Sequence, residues 1–409
     1  MHFHHLHFYV EDVAFWRCWF IDKLGFCCSM KSPSTATRML QAGSAHCTPV
    51  VLKQGNIEIR LSGRSTFARR LDARDVDVEG LNDEGLDKNL GNGLEKGLEK
   101  GLESKEDEVA AYLDRHPAGI ADVALASDRF DWAVERALSQ GAILTQAVCL
   151  NEQGQRQCQF KGWADLRHTL VETDAGRDRA EFLEEAACSG AVPRLQAIDH
   201  VVINVPQGEL AAATDWYRRA FDLSYGQRFE IETLRSGLRS QVLVHDSGSL
   251  QLPLNEPTSS ASQIQEFLHH NRGAGVQHVA LRSADAIGAI AHFRSRGLDL
   301  IEVPDTYYEQ LPLRLDCPVE DLAGVSQQRL LVDWASGGQQ GMLLQTFTKP
   351  LFAVPTFFFE IIERGRYLKD GKLEAARGFG EGNFQALFEA IERSQMAREE
   401  QLKQLGKEA

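Results

Sequence analysis

The chain has 409 residues, 43% hydrophobic and 25% charged, with a formal net charge of -14 at pH 7. That is a globular composition with length for two lobes of roughly 150 to 200 residues. The acidic balance excludes a nucleic-acid partner, which needs clustered Lys and Arg, and the absence of an apolar run of about 18 residues argues against a membrane span.

The N-terminus shows no basic stretch followed by an apolar one, and the eight cysteines are scattered with no C-x-x-C pair. A cytoplasmic protein with free thiols and no zinc ribbon is therefore expected. The chain opens with HFHHLHFYV, an alternating strand, followed by an amphipathic helix carrying Phe15 and Trp16. The cluster His2, His4, His5 and His7 is able to take up metal adventitiously, and no function is attached to it. Residues 65–107 hold the acidic repeat NDEGLDKNLGNGLEKGLEKGLESKED, in which helix formation costs much backbone entropy. A disordered insertion is expected there; the alternative is a partner-binding amphipathic segment. GIADVALASDRFDWAVERALSQGA (119–142) reads as a strand and a helix ended by glycine, and RHTLVETD follows with Glu172. The polar stretch 174–195, with Val-Pro near its end, is a predicted linker.

The pattern then recurs. AIDHVVINV and the helix carrying Trp216 and Tyr217 line up with the opening of the chain, and GVQHVALRSADAIGAIAHFRSRGL (275–298) lines up with 119–142. This duplicated βαβββ pattern resembles the vicinal-oxygen-chelate superfamily. It implies an α+β fold of two chelate domains, each of paired βαβββ modules forming an open curled barrel, with a C-terminal helix as lid. The expected division is 1–173, a degenerate first domain; 174–195, the linker; 196–393, the catalytic domain; and 394–409, a charged tail. Phe384, Leu387, Phe388 and Ile391 form an apolar stripe at helical spacing in that terminal helix.

Three candidate metal ligands fall on separate predicted strands: His200 in AIDHVVINV, His278 in GAGVQHVAL and Glu360 in TFFFEIIER. Two imidazoles and one carboxylate leave three positions of an octahedral ion open, the arrangement of oxygen-activating iron(II) sites. A single histidine in a half-buried strand is usually a core residue, but a glutamate inside Phe357-Phe358-Phe359-Glu360-Ile361-Ile362 is not filler. Left unpaired there it costs several kcal/mol and calls for a cation or strong donors.

The stretches SQIQEFLHHNRGAGVQHVAL, VPDTYYEQL, LLQTFTKPL, PTFFFEIIER and GFGEGNFQALFEAIE resemble the C-terminal half of the 4-hydroxyphenylpyruvate dioxygenase family. The resemblance implies conversion of 4-hydroxyphenylpyruvate and O2 to homogentisate and CO2 in tyrosine catabolism, with Fe(II) on His200, His278 and Glu360. It also implies a homodimer or homotetramer. Carried over residue by residue, it gives Gln277, Gln345, Asn383 and Phe384 roles near the reacting groups. Ser240, Pro253, Asn255, Gln263, Phe347, Phe358, Phe379 and Leu387 become substrate contacts. Of these, Ser240, Asn255 and Gln263 would orient the phenol, and the phenylalanines would form apolar walls. Gly378, Gly380 and Gly382 suggest a hinge beneath the lid.

Side chains two apart on a strand share a face, which pairs Phe358 with Glu360, Gln345 with Phe347 and Pro253 with Asn255. Gln277, next to His278, is expected on the opposite face unless the strand bulges. In the first half His5 stands where His200 does, Asp122 replaces His278, and Glu172 is expected near the place of Glu360. That set is either a degenerate module kept for packing or a second metal site. Two rival functions are a 4-hydroxymandelate synthase, against which Pro253 and Asn255 speak, and a non-catalytic chelate-fold binding protein.

Overall fold

Strand 119–127 is buried at every position whereas its neighbour 2–9 alternates more openly, which places the former at the centre of a sheet covered on both faces. The computed structural model describes residues 1–28, 49–64, 108–173, 194–232, 237–314, 321–334, 341–369, 371–380, 382–383 and 396. The stretch 65–107, most of the predicted linker and nearly all of the C-terminal tail, with Phe384 and Leu387, lie outside the described residues.

The first half builds β1 (His2–Tyr9), β2 (Cys27–Cys28), β3 (Val50–Gln54), β4 (Ile57–Ser62), β5 (Gly119–Ser127), β6 (Ile143–Leu150), β7 (Arg156–Lys161) and β8 (Arg167–Glu172). The second builds β9 (Ala197–Asn204), β10 (Ser224–Glu232), β11 (Gly237–Val244), β12 (Gln251–Pro257), β13 (Gly275–Arg282), β14 (Leu331–Trp334), β15 (Met342–Phe347) and β16 (Phe358–Arg364). The two sheets have the same order, β2-β3-β4-β1-β5-β8-β7-β6 and β10-β11-β12-β9-β13-β16-β15-β14. In each, the central pair is antiparallel and its flanking neighbours are parallel. The repeat read from the sequence is thus a repeat of topology, and the fold is the expected α+β pair of curled chelate modules.

Glycine ends the two crossover helices as the sequence implies: Gly141 follows α1 (Phe130–Ser139) and Gly297 follows α3 (Ala286–Ser295), with φ of 82° and 75°. Helix α2 (Leu210–Ala220) buries Leu210, Ala213, Tyr217 and Ala220, spaced three or four apart. Those side chains belong to one apolar cluster that runs through both halves. Phe8 meets Phe357 with ring centroids 5.2 Å apart, and His168 of β8 bonds the Tyr217 hydroxyl at 2.9 Å. No helix among the described residues is long and apolar enough to cross a membrane.

Candidate metal centre and its cavity

The site is laid out by sheet register. Ala280 of β13 pairs with His200 of β9 on one side and with Glu360 of β16 on the other. His278 lies two residues before Ala280 and so on the same face. A methyl group between two long side chains leaves open space over the strand. One ligand atom from each of His200, His278 and Glu360 lies within 4.8 Å of the other two in that space. Nε2 of His200 is 3.3 Å and Nε2 of His278 3.7 Å from the same oxygen, Glu360 Oε2.

Two register slips decide what stands behind the imidazoles. The β9/β13 ladder skips Gln277 on one strand and Asp199 on the other, so each residue bulges beside its histidine rather than turning away from it. Asp199 Oδ1 accepts from His200 Nδ1 at 2.9 Å, and Gln277 Oε1 lies 3.3 Å from His278 Nδ1. The bulged alternative for Gln277 is the one realised, and Gln277 lines the cavity. Asp199 was not singled out from the sequence, because adjacent strand residues ordinarily face apart. Arg364 grips it in a fork, Nη2 to Oδ1 at 2.7 Å and Nε to Oδ2 at 2.8 Å.

Charge and burial set the protonation. Burial works to raise the Asp199 carboxyl, but Arg364 and His200 outweigh it and hold it well below the usual carboxylate range. His200 is pushed up to about 9: burial opposes this, and Glu360 and Asp199 overcome it. His278 is pushed well below its ordinary value, by burial first and then by His200, so it offers a neutral lone pair. Two carboxylates that draw a proton onto a buried imidazole mark a place that accepts positive charge. A divalent cation fits this donor set with positions to spare.

Gln345 ties the centre to the chain's end. Its Nε2 donates to Glu360 Oε1 and to Phe379 O, each at 2.9 Å, and its Oε1 accepts from Asn383 Nδ2 at 2.9 Å. The Tyr307 hydroxyl, another group the sequence did not flag, holds Asn383 Oδ1 at 2.9 Å. Phe358 stacks on His278 at 4.8 Å between ring centres, and Phe379 meets His200 edge-on at 5.1 Å.

The centre opens into a cavity lined by Pro253, Asn255, Gln263, Gln277, Phe347, Phe358 and Phe379, all expected from the sequence. Val202, Phe229, Ile231, Leu238 and Ile264 line it as well; apolar strand residues of this kind carry no mark distinguishing a cavity wall from core. Ser240, expected as a substrate contact, is fully buried and does not itself line the cavity; it pairs in register with Asn255, and its Oγ has no protein partner among the described residues.

The first half corrects one expectation. Asp122 pairs with Arg167 as His278 pairs with Phe358, so the residue in register with Glu360 is Thr169, not Glu172. Thr169 donates its backbone N–H to Asp122 Oδ1 at 2.8 Å and its hydroxyl to the other oxygen. Glu172 instead takes Arg156 at 2.7 Å. The position is occupied by internal hydrogen bonds, as a packing module requires. His4, His5 and Glu58 make another cluster with ligand-bearing atoms in reach of each other. Glu58, however, is already paired with Arg60 at 2.8 Å and Lys53 at 3.6 Å.

Fold and donor set together define a metal-dependent dioxygenase of the vicinal-oxygen-chelate class. The profile of the Glyoxalase/Bleomycin resistance protein/Dioxygenase superfamily matches residues 197–314. The 4-hydroxyphenylpyruvate dioxygenase of Danio rerio is 34% identical over 316 residues, 71% of this chain and 76% of that protein. That of Coccidioides posadasii is 32% identical over 419 aligned positions, 96% of this chain and 93% of its own. The chain belongs to the 4-hydroxyphenylpyruvate dioxygenase family. A mutant of 4-hydroxymandelate synthase from Streptomyces coelicolor superposes with a TM-score of 0.69 at 23% identity, over 96% of this chain and 98% of its own, a likeness of fold.

Proposed function

We propose that this chain converts 4-hydroxyphenylpyruvate and O2 to homogentisate and CO2, using Fe(II) held by His200, His278 and Glu360. The observation that carries the reading is the convergence of those three side chains at one end of a largely apolar cavity. Bound there, the ferrous ion supplies the redox chemistry of O2 activation and a positive charge that attracts an anionic 2-oxo acid.

The chain's residues position and insulate. Burial keeps His278 unprotonated and able to ligate. Gln345 engages one Glu360 oxygen at 2.9 Å, which restricts the carboxylate's rotation. Phe347, Phe358 and Phe379 exclude water around the reacting carbons. Ser240 Oγ, buried beside the cavity-lining Asn255, has no protein partner among the described residues. A phenol hydroxyl suits it, since an unmet buried hydroxyl costs about 1–3 kcal/mol. In this reading Gln263 and Pro253 complete the substrate contacts, Gln277 acts beside His278, and 196–393 is the catalytic unit, to which Phe384 and Leu387 belong.

Anaerobic loading with Fe(II), addition of 4-hydroxyphenylpyruvate and then air, and identification of the aromatic product test the proposal. Homogentisate is expected. 4-Hydroxymandelate would reassign the reaction to the benzylic carbon, and binding of the keto acid without O2 uptake would make the chain a binding protein.

A further inference from the structure

We propose that Arg364 is a positioning residue that ties the seating of segment 376–380 to the metal centre. The proposal rests on His200, His278 and Glu360 being the metal ligands. Arg364 ends β16 four residues beyond Glu360, its side chain only 8% exposed. One edge of its guanidinium holds Asp199, the carboxylate behind His200. Its Nη1 donates to two main-chain carbonyls, Ala376 O and Gly378 O, each at 2.9 Å. The next carbonyl along, Phe379 O, takes the Gln345 amide that also holds Glu360. The segment thus reaches two of the three ligands, each through one intermediary, and Arg364 is the joint between them.

A carboxylate behind a ligating imidazole fixes the ring's tautomer and raises its basicity, and its loss costs about 10- to 100-fold in metal affinity. Among the described residues His278 Nδ1 meets the neutral Gln277 oxygen, at 3.3 Å, so the two imidazoles are held unequally. Register places His4 and Thr173 in the first half where Asp199 and Arg364 stand in the second. The joint is missing from the half that lacks the ligand set. Coupling between two sites is reciprocal, so metal at the centre must secure the segment by the factor that a seated segment tightens the metal.

Arg377 supplies the readout, because it sits between the two clamped carbonyls while its own side chain is 71% exposed. Full-length protein is digested with trypsin with and without Co(II), and the fragment beginning at Gly378 is followed by mass. Co(II) affinity is measured by titration. Cleavage after Arg377 is expected to slow roughly 10-fold or more on Co(II) saturation in the native protein. In Arg364→Met it is expected to be fast with or without metal, with Co(II) bound about 10- to 100-fold more weakly. Arg364→Lys is not expected to rescue, since an ammonium lacks the planar fork. Asp199→Asn, nearly isosteric, gives the same loss of affinity should Arg364→Met fail to fold.

Co(II) binding that is lost in His278→Ala, together with native cleavage indifferent to Co(II), overturns the coupling and leaves the ligand assignment standing. Affinity and cleavage unchanged in both variants overturn it too. Co(II) binding undiminished by His278→Ala removes the ligand assignment and the coupling with it.

Discussion

Truncating His278 to alanine removes a neutral donor 3.7 Å from Glu360 and is expected to abolish turnover and lower iron retention by at least about 100-fold. His5→Ala, in the half where Thr169 and Asp122 satisfy each other, is expected to retain the native iron content and rate. Metal analysis after gel filtration checks both, and iron loss in the His5 variant would revive a second site. His200 supplies the pH dependence. Its folded value of about 9 lies above the ordinary 6.5. Its contribution to the stability of the metal-free protein is therefore complete below about pH 6.5 and disappears as pH rises through about 9. Urea denaturation of metal-free protein is expected to show a decline of order 1–3 kcal/mol over that interval, and His200→Gln is expected to flatten it. Of the three candidate ligands Glu360 was legible alone, because a glutamate inside an apolar run calls for a cation or strong donors, and the two histidines gained weight only beside it. Asp199 and Arg364 were not, because ion pairs between strands far apart in sequence follow only from register.

Among the elements, the strand bulges are what sequence alternation could not supply. A strand read by its period of two turns Asp199 and Gln277 away from the site, and one skipped residue in each strand brings them back. The same slips occur at His4 and Ala121 in the first sheet, so the distortion belongs to the module and not to the metal. The glycine-rich run was expected to act as a hinge, and at two of its glycines a side chain would have to displace a neighbouring one. A Cβ on Gly380, which has a φ of +76°, would fall 1.8 Å from Gln345 Oε1, and one on Gly382 would lie 2.6 Å from Asp333 Oδ1. Gly380→Ala is expected to cost about 1–3 kcal/mol and to displace Gln345 from Glu360. A lower melting temperature together with weaker metal binding checks it; native metal affinity would show that Gln345 yields without consequence.

At the scale of the whole molecule, the two sheets share one apolar cluster, and unfolding is expected to be a single transition. Tyr217 is buried between the halves, its hydroxyl on His168 Nε2 at 2.9 Å. Tyr217→Phe leaves that nitrogen short of a partner, at a cost of about 1–3 kcal/mol. Calorimetry is expected to show one transition moved to lower temperature; two separate transitions would mean that the halves fold independently. The sequence by itself determined the duplicated α+β architecture, and it named the three side chains that converge and much of the cavity lining. Periodicity, glycine stops and a misplaced carboxylate are local signals, readable within one strand or helix. Only the tertiary structure decided that Thr169, not Glu172, stands where Glu360 does, and that Asp199, Arg364 and Tyr307 serve the site. Those facts depend on how strands distant in the chain align, and a slip of one residue in register reverses the face on which a side chain appears.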